Sequence, residues 1–175
     1  MKSIFFDEID NTQDFAINEF KNEPLLIVSK VQTSGRGTNQ NKWQNADQSL
    51  ATSLVFNKKI ISFTKTLIPL LAGYSYVSLV KNKNLKLKWP NDIIFKNDKV
   101  GGVLVEENNE LVCIGLGVNY FWENPSLPGA GAIYDEKQDD QKIFQDAEEW
   151  GRTILNYIKN EDFSLENYTS KLTTF

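Results

Sequence analysis

Two apolar runs, KVGGVLVE (Lys99 to Glu106) and LVCIGLGV (Leu111 to Val118), flank the short polar stretch Glu107-Asn108-Asn109. Runs of this kind with so few turn-forming residues between them read as a β-hairpin. A hairpin fixes antiparallel pairing, since a parallel pair needs a crossover of a dozen or more residues. The rest of the chain interleaves strand-like and helix-like segments, a pattern that alone suggests a parallel sheet. The expected fold is therefore α+β, a mixed and largely antiparallel central sheet flanked by helices. The 175 residues allow one domain with a real core and are too few for two ordinary ones, and no repeat or linker divides them.

Taken in order, Ile4 to Ile9 reads as a short strand. Asp10-Asn11-Thr12 offers N-cap side chains for a helix carrying Phe15, Ala16 and Phe20. Pro24 to Ser29 and Ser49 to Phe56 are further strands. A helix is expected from about Phe63 to Val80, capped by Ser62, with Pro69 either kinking it or marking its true start. Leu85 to Trp89 has period 2, placing Leu85, Leu87 and Trp89 on one face and Lys86 and Lys88 on the other. Ile93 to Phe95 resumes the strand, and residues 120 to 138 are irregular. The last helix runs from about Asp139 to Asn160 with Ile143, Ala147, Trp150, Ile154 and Ile158 as its stripe. A short helical turn is expected in the tail beyond Glu161.

Composition removes several classes of function. Apolar content of 41% and charge of 24% are those of a globular protein. The net charge of −4 and the lack of a basic tract give nucleic acid no electrostatic footprint. No apolar run reaches membrane-spanning length, and MKSIFFDEID is too short and acidic for a signal peptide. The single cysteine, Cys113, rules out an internal disulfide and suits a cytoplasmic location. Its apolar surroundings point to packing. There is no histidine, which excludes Ser-His and Cys-His nucleophile pairs and His-ligated metals. Chemistry must rest on Lys, Arg, carboxylates, backbone donors and Mg²⁺ held by carboxylates or phosphates.

Lys30 to Trp43, KVQTSGRGTNQNKW, is a long polar loop after an apolar strand. Such a loop is functional or disordered. Gly35 and Gly37 free the backbone to present N–H groups to an anion, and Arg36 adds a fixed positive fork. An ordinary exposed loop with an incidental Arg fits as well. Three other segments put glycine or polar residues where a strand should be featureless. Lys88-Trp89-Pro90-Asn91-Asp92 is also a good turn. In Lys99-Val100-Gly101-Gly102 the glycines could form a bulge and Lys99 a solvated strand start. In Gly115-Leu116-Gly117-Val118-Asn119 the glycines could permit close sheet-to-helix packing.

Together these segments resemble the biotin–protein ligases. That family carries GRG-x5-W, KWPND, K-x-GG-[IV]-L and G-[IL]-G-x-N in this order. Here they stand as GRGTNQNKW, KWPND, KVGGVLVE and GLGVN. Upstream, IDNTQ is similar to the family's I-D-S-T-N, and Gln32 falls where the family has a Gln before its loop. The likeness runs from about Phe6 to Tyr120. The lipoate ligases lack KWPND and carry a different Arg- and Gly-rich motif.

The resemblance implies a class II synthetase-like catalytic domain that joins biotin to ATP as biotinyl-5′-AMP. It then passes biotin to one lysine of a carrier, such as the biotin carboxyl carrier protein of acetyl-CoA carboxylase. Asn11, Thr12 and Gln32 would hold the ureido head of biotin. The backbone of Gly35, Arg36, Gly102 and Leu104 would line the same pocket, and Ser53 would complete it. Lys99 would sit between the biotin carboxylate and the α-phosphate, with Arg36 on the phosphate side. Asn119 would read adenine, with Trp43 stacking near it. Thr38 would face the adenylate, Asn91 would support the nucleotide, and Asp92 would orient or deprotonate the attacking lysine. Mg²⁺ would arrive with ATP, with no metal held by protein side chains alone.

Two departures from the family follow. Its loop often has a second Arg after Gly-Arg-Gly and another before the Trp, where this chain has Thr38 and Asn41. A looser hold on the adenylate is expected, as is ordering of residues 34 to 42 by ligand. No helix-turn-helix precedes residue 1 and no β-barrel follows, so a monofunctional enzyme without a repressor role is expected; a minimal member and a truncated one both fit. The oligomeric state is open, a homodimer included. The alternatives are a lipoate or octanoate ligase or transferase on the same fold, or a non-catalytic biotin- or nucleotide-binding module.

Overall fold

The computed structural model describes residues 1–38, 41–61, 65–80, 83–160 and the backbone of 172–173. Its elements are β1 (Lys2–Ile9), α1 (Thr12–Glu19), β2 (Leu25–Gln32), β3 (Gln48–Asn57), α2 (Ile68–Leu79), β4 (Leu85–Lys88), β5 (Asp92–Phe95), β6 (Asp98–Glu107), β7 (Leu111–Phe121), α3 (Asp140–Asn160) and β8 (Leu172–Thr173). The strands form one sheet in the order β1-β2-β3-β7-β6-β5-β4-β8. Only β1–β2 and β4–β8 pair in parallel, so the sheet is mixed and largely antiparallel, as expected.

The β6–β7 hairpin lies at the centre of the sheet. Its turn closes on Asn108, whose Oδ1 accepts from the N–H groups of Glu110 (2.9 Å) and Leu111 (2.8 Å). The strands are apolar on both sides because both sides are covered. In β2, Leu26 and Val28 join the large core under α2 and α3, and Leu25 and Ile27 join a smaller cluster with Ala16 of α1. Cys113 belongs to this second cluster, and burial pushes its thiol pKa up to about 12. It is a packing residue. The predicted stripe of α3, from Ile143 to Ile158, is wholly buried.

Two expectations need correction. The helix predicted from Phe63 begins at Ile68, because Pro69 lies in its first turn and marks the start instead of kinking it. The predicted cap, Ser62, lies outside the described residues, as does the tail beyond Glu161 apart from the two residues of β8. The second correction is Trp89. Leu85 and Leu87 are buried and Lys86 and Lys88 exposed, but Trp89 is 62% exposed. The ladder of β4 ends with Lys88 opposite Asp92, so the alternation no longer governs the next residue. Among the described residues, no helix is long and apolar enough to cross a membrane.

Candidate active site

The register of β6 on β7 builds the floor of a pocket on the α1 side of the sheet. Gly102 stands opposite Gly117, and Leu104 opposite Gly115. Three of these four positions lack a side chain, so bare backbone faces the space above. The pocket spans about 490 Å³ including its open mouth, in the range of small-molecule sites. Asn11, Thr12, Gln32, Arg36, Thr38, Trp43, Asn91, Lys99, Gly102 and Leu104 all line it.

Each end of the floor carries one side chain set against a glycine. A Cβ on Gly115 would lie 2.7 Å from Gln13 Oε1, and a Cβ on Gly117 would lie 2.8 Å from Trp43 Cζ2. Those glycines are needed for close approach. The Lys99 side chain extends over Gly102, where an added Cβ would come 3.6 Å from Lys99 Nζ.

Beside Gln13 lies a polar cluster at the start of α1. Asn11 caps the helix, its Oδ1 accepting from the N–H of Gln13 (2.9 Å) and Asp14 (3.1 Å), and its Nδ2 donates to the Ser34 carbonyl (2.9 Å). This cap and tether hold Thr12 in place. Gln32 Oε1 accepts from both the Thr12 N–H (2.8 Å) and its hydroxyl (3.0 Å). With that proton committed to Gln32, Ser53 donates in the 2.8 Å contact between the Thr12 and Ser53 hydroxyls. Ser53 therefore stands behind Thr12 and supports it from the next strand.

At the opposite end, Lys99 Nζ lies 2.6 Å from Asp92 Oδ1. Asn91 donates to the Val103 carbonyl (3.0 Å) and accepts the Val103 N–H on its own carbonyl (2.8 Å), which pins the Pro-Asn-Asp turn against β6. Asn119 is buried next to this end and donates to the Gly131 carbonyl (2.9 Å), while its Oδ1 has no hydrogen-bond partner among the described residues. Trp43 Nε1 is likewise buried without a partner among them. Buried polar atoms are normally paired, and this acceptor and this donor are the exceptions among the described residues.

The glycine-rich loop folds back on itself. Arg36 pairs with Lys42 in an antiparallel bridge, with Gly37 N–H donating to Asn41 (2.7 Å) and Trp43 N–H to Gly35 (3.0 Å). Asn39 and Gln40 lie outside the described residues. The Arg36 guanidinium turns onto Asp14 and Glu106.

The sequence pattern therefore brings together every predicted residue except four that stand one step back. Ser53 lies behind Thr12, Gly35 against Gln32 and Trp43, Asp92 against Lys99, and Asn119 beneath residues 131–133. Sequence reasoning missed Gln13, Thr52 and the floor role of Gly115 and Gly117. The two glycines carried a signal in their period-2 spacing, which keeps them on one face of β7.

Residues 5–119 match the model of the biotin/lipoate A/B protein ligase family. Biotin–protein ligase 2 of Arabidopsis thaliana is 26% identical over 132 residues, covering 67% of this chain and 40% of that protein. The bifunctional ligase/repressor BirA of Bacillus subtilis is 30% identical over 137 residues, covering 71% of this chain and 42% of that one. The chain thus spans less than half the length of these relatives. Among solved structures, the biotin protein ligase of Aquifex aeolicus in complex with biotin and ATP superposes with a TM-score of 0.84 at 25% identity, covering 98% of this chain and 78% of that one.

Proposed function

The chain belongs to the biotin/lipoate A/B protein ligase family, and on that premise we propose that it is an ATP-dependent biotin–protein ligase. The observation that carries the reading is one pocket with the Thr12–Gln32 cluster at one end and the Lys99–Asp92 pair at the other. A ureido ring has donors and an acceptor to match the first end. A lipoyl or octanoyl chain has no hydrogen-bonding group to set against those side chains, so it would gain no polar contact at that end. That observation favours biotin.

In the proposed first step, a biotin carboxylate oxygen attacks the α-phosphorus of ATP. A P–O bond forms, the bond to the β-phosphate oxygen breaks, and pyrophosphate leaves. Two anions must meet, and the Lys99 ammonium neutralises both while it stands over bare backbone. Mg²⁺ enters with ATP as part of that substrate. Asn119 Oδ1, an open acceptor among the described residues, suits the exocyclic amine of adenine, and the Trp43 indole stacks near the base. In the second step a lysine amine of a carrier domain attacks the biotinyl carbonyl and AMP departs. Asp92 orients that amine or takes its proton. Asn91 supports the nucleotide, and the Gly35, Arg36, Gly102 and Leu104 backbone encloses the biotin ring.

Incubation with ATP, Mg²⁺ and either biotin or lipoate, followed by mass spectrometry, tests the reading. Biotinyl-5′-AMP is the expected product. Lipoyl-AMP in its place supports the sister activity, and no adenylate at all supports a binding module.

Thr38 makes a second expectation. It lines the pocket where relatives of this type often carry Arg, and it offers at most one neutral hydrogen bond in place of a charged fork. Charged hydrogen bonds are worth about 1.5–3 kcal/mol and neutral ones about 1. Thr38→Arg should therefore retain biotinyl-5′-AMP roughly tenfold longer than wild type. Equal dissociation rates at the same salt would mean that another residue, such as Lys42, already supplies the contact.

A further inference from the structure

Arg36 is the charged centre of the Gly-Arg-Gly loop, and two carboxylates from separate elements hold its guanidinium. Nη1 lies 2.6 Å from Asp14 Oδ2, Nη2 lies 2.8 Å from Asp14 Oδ1, and Nη2 also reaches the Glu106 carboxylate oxygens at 3.1 and 3.3 Å. Asp14 sits in the first turn of α1, two residues after Thr12. Glu106 lies on β6, two residues after Leu104. The fork thus bridges the two elements that carry the Thr12 end of the pocket and its floor.

Charge and geometry agree on what this arrangement does. One guanidinium facing two carboxylates sums to −1, so the group as it stands presents no net positive charge to a phosphate. The Arg36 hydrogen bonds hold the Asp14 carboxyl below its usual pKa range. An exposed ion pair alone would count for little, but a two-pronged fork shared by two acids is the exception to that rule. In the bridge to Lys42, the Gly37 and Trp43 N–H groups carry the pairing. That pattern directs Arg36's own N–H and carbonyl away from Lys42. The side chain therefore anchors the root of the 35–43 hairpin, whose last residue lays its indole on Gly117.

We propose that Asp14 and Glu106 are positioning residues of the site. They hold the Arg36 fork as a strut that seats the hairpin over the pocket, so that Arg36 serves bound biotin through its backbone while its charge is structural. The inference rests on the biotin-ligase reading above. The rival arrangement has the fork leave both acids and grip ATP. In that case the acids compete with ATP, and removing one should strengthen ATP binding.

The test uses Asp14→Asn, Glu106→Gln, Arg36→Gln and the double variant Asp14→Asn/Arg36→Gln. It reads amide exchange by NMR without ligand, biotin affinity by calorimetry, and KM for ATP. Exchange at the Gly37 and Trp43 amides should rise about tenfold in every variant, with the β3 and β7 amides unchanged. Biotin affinity should fall about tenfold, and KM for ATP should rise at least about twofold, because Trp43 rides on the same hairpin. The double variant should be no worse than Arg36→Gln, as expected of groups acting as one unit. Unchanged exchange and biotin affinity, or a lower KM for ATP in Asp14→Asn, overturns the proposal. If wild type neither binds biotin nor forms an adenylate, the ligase reading fails, and the exchange data still decide whether the strut exists.

Discussion

Lys99→Ala is expected to lower the rate of biotinyl-5′-AMP formation by a factor on the order of a hundred or more, with the fold intact. Removing one preorganised donor aimed at developing charge costs about 10²–10³ in rate in comparable sites. Lys99 is the cation over the pocket floor. Among the described residues that line the pocket, the other cation is Arg36, and its charge is already engaged by Asp14 and Glu106. The cost to stability should be small, because the Lys99 side chain is 43% exposed and its ion pair with Asp92 is a surface pair. Pyrophosphate release and a thermal melt, measured on the same sample, separate the two effects. A variant that melts like wild type and still turns over like wild type would remove Lys99 from the chemistry.

The parts of this site that sequence revealed are those whose cause is local. The hairpin turn follows from Asn108 and its neighbours, and the α1 cap from Asn11, each acting on backbone two or three residues away. The stripe of α3 follows from period alone. The floor was half legible: Gly115 and Gly117 lie two apart and must share a face, but nothing in the chain says that Gly102 stands opposite Gly117. That fact belongs to register. The Arg36 strut was not legible, since its partners lie 22 and 70 residues away and acids are common on any surface. The bond from Asn119 to Gly131 was hidden for a related reason, an irregular segment having no period to read. Trp89 failed because alternation predicts a face only while a ladder persists.

Gly117→Val should cripple nucleotide use while sparing the biotin end of the pocket. A Cβ at this position would meet three atoms of the Trp43 ring, Cζ2, Cε2 and Cη2, at 2.8, 2.9 and 3.0 Å. The glycine is needed for closeness, since its backbone is ordinary strand that any residue adopts. Either the strand or the ring must give. Strand β7 lies between β3 and β6, with Leu116 and Val118 buried in the large core on either side of Gly117. Trp43 is held by a loop, its backbone tied by one N–H to Gly35, so the indole is the part that moves. Overpacking of this kind costs about 1–3 kcal/mol, and a loss of that size taken from ATP binding is roughly a ten- to hundredfold rise in KM. Biotin affinity should change far less, because Thr12, Gln32 and Ser53 sit at the other end of the floor. Adding Trp43→Ala to Gly117→Val removes the clash, so the second substitution should cost little in the background of the first. If the valine variant uses ATP as wild type does, or if its loss is the same with and without the Trp43 ring, then the packing of Trp43 on Gly117 plays no part in holding the nucleotide.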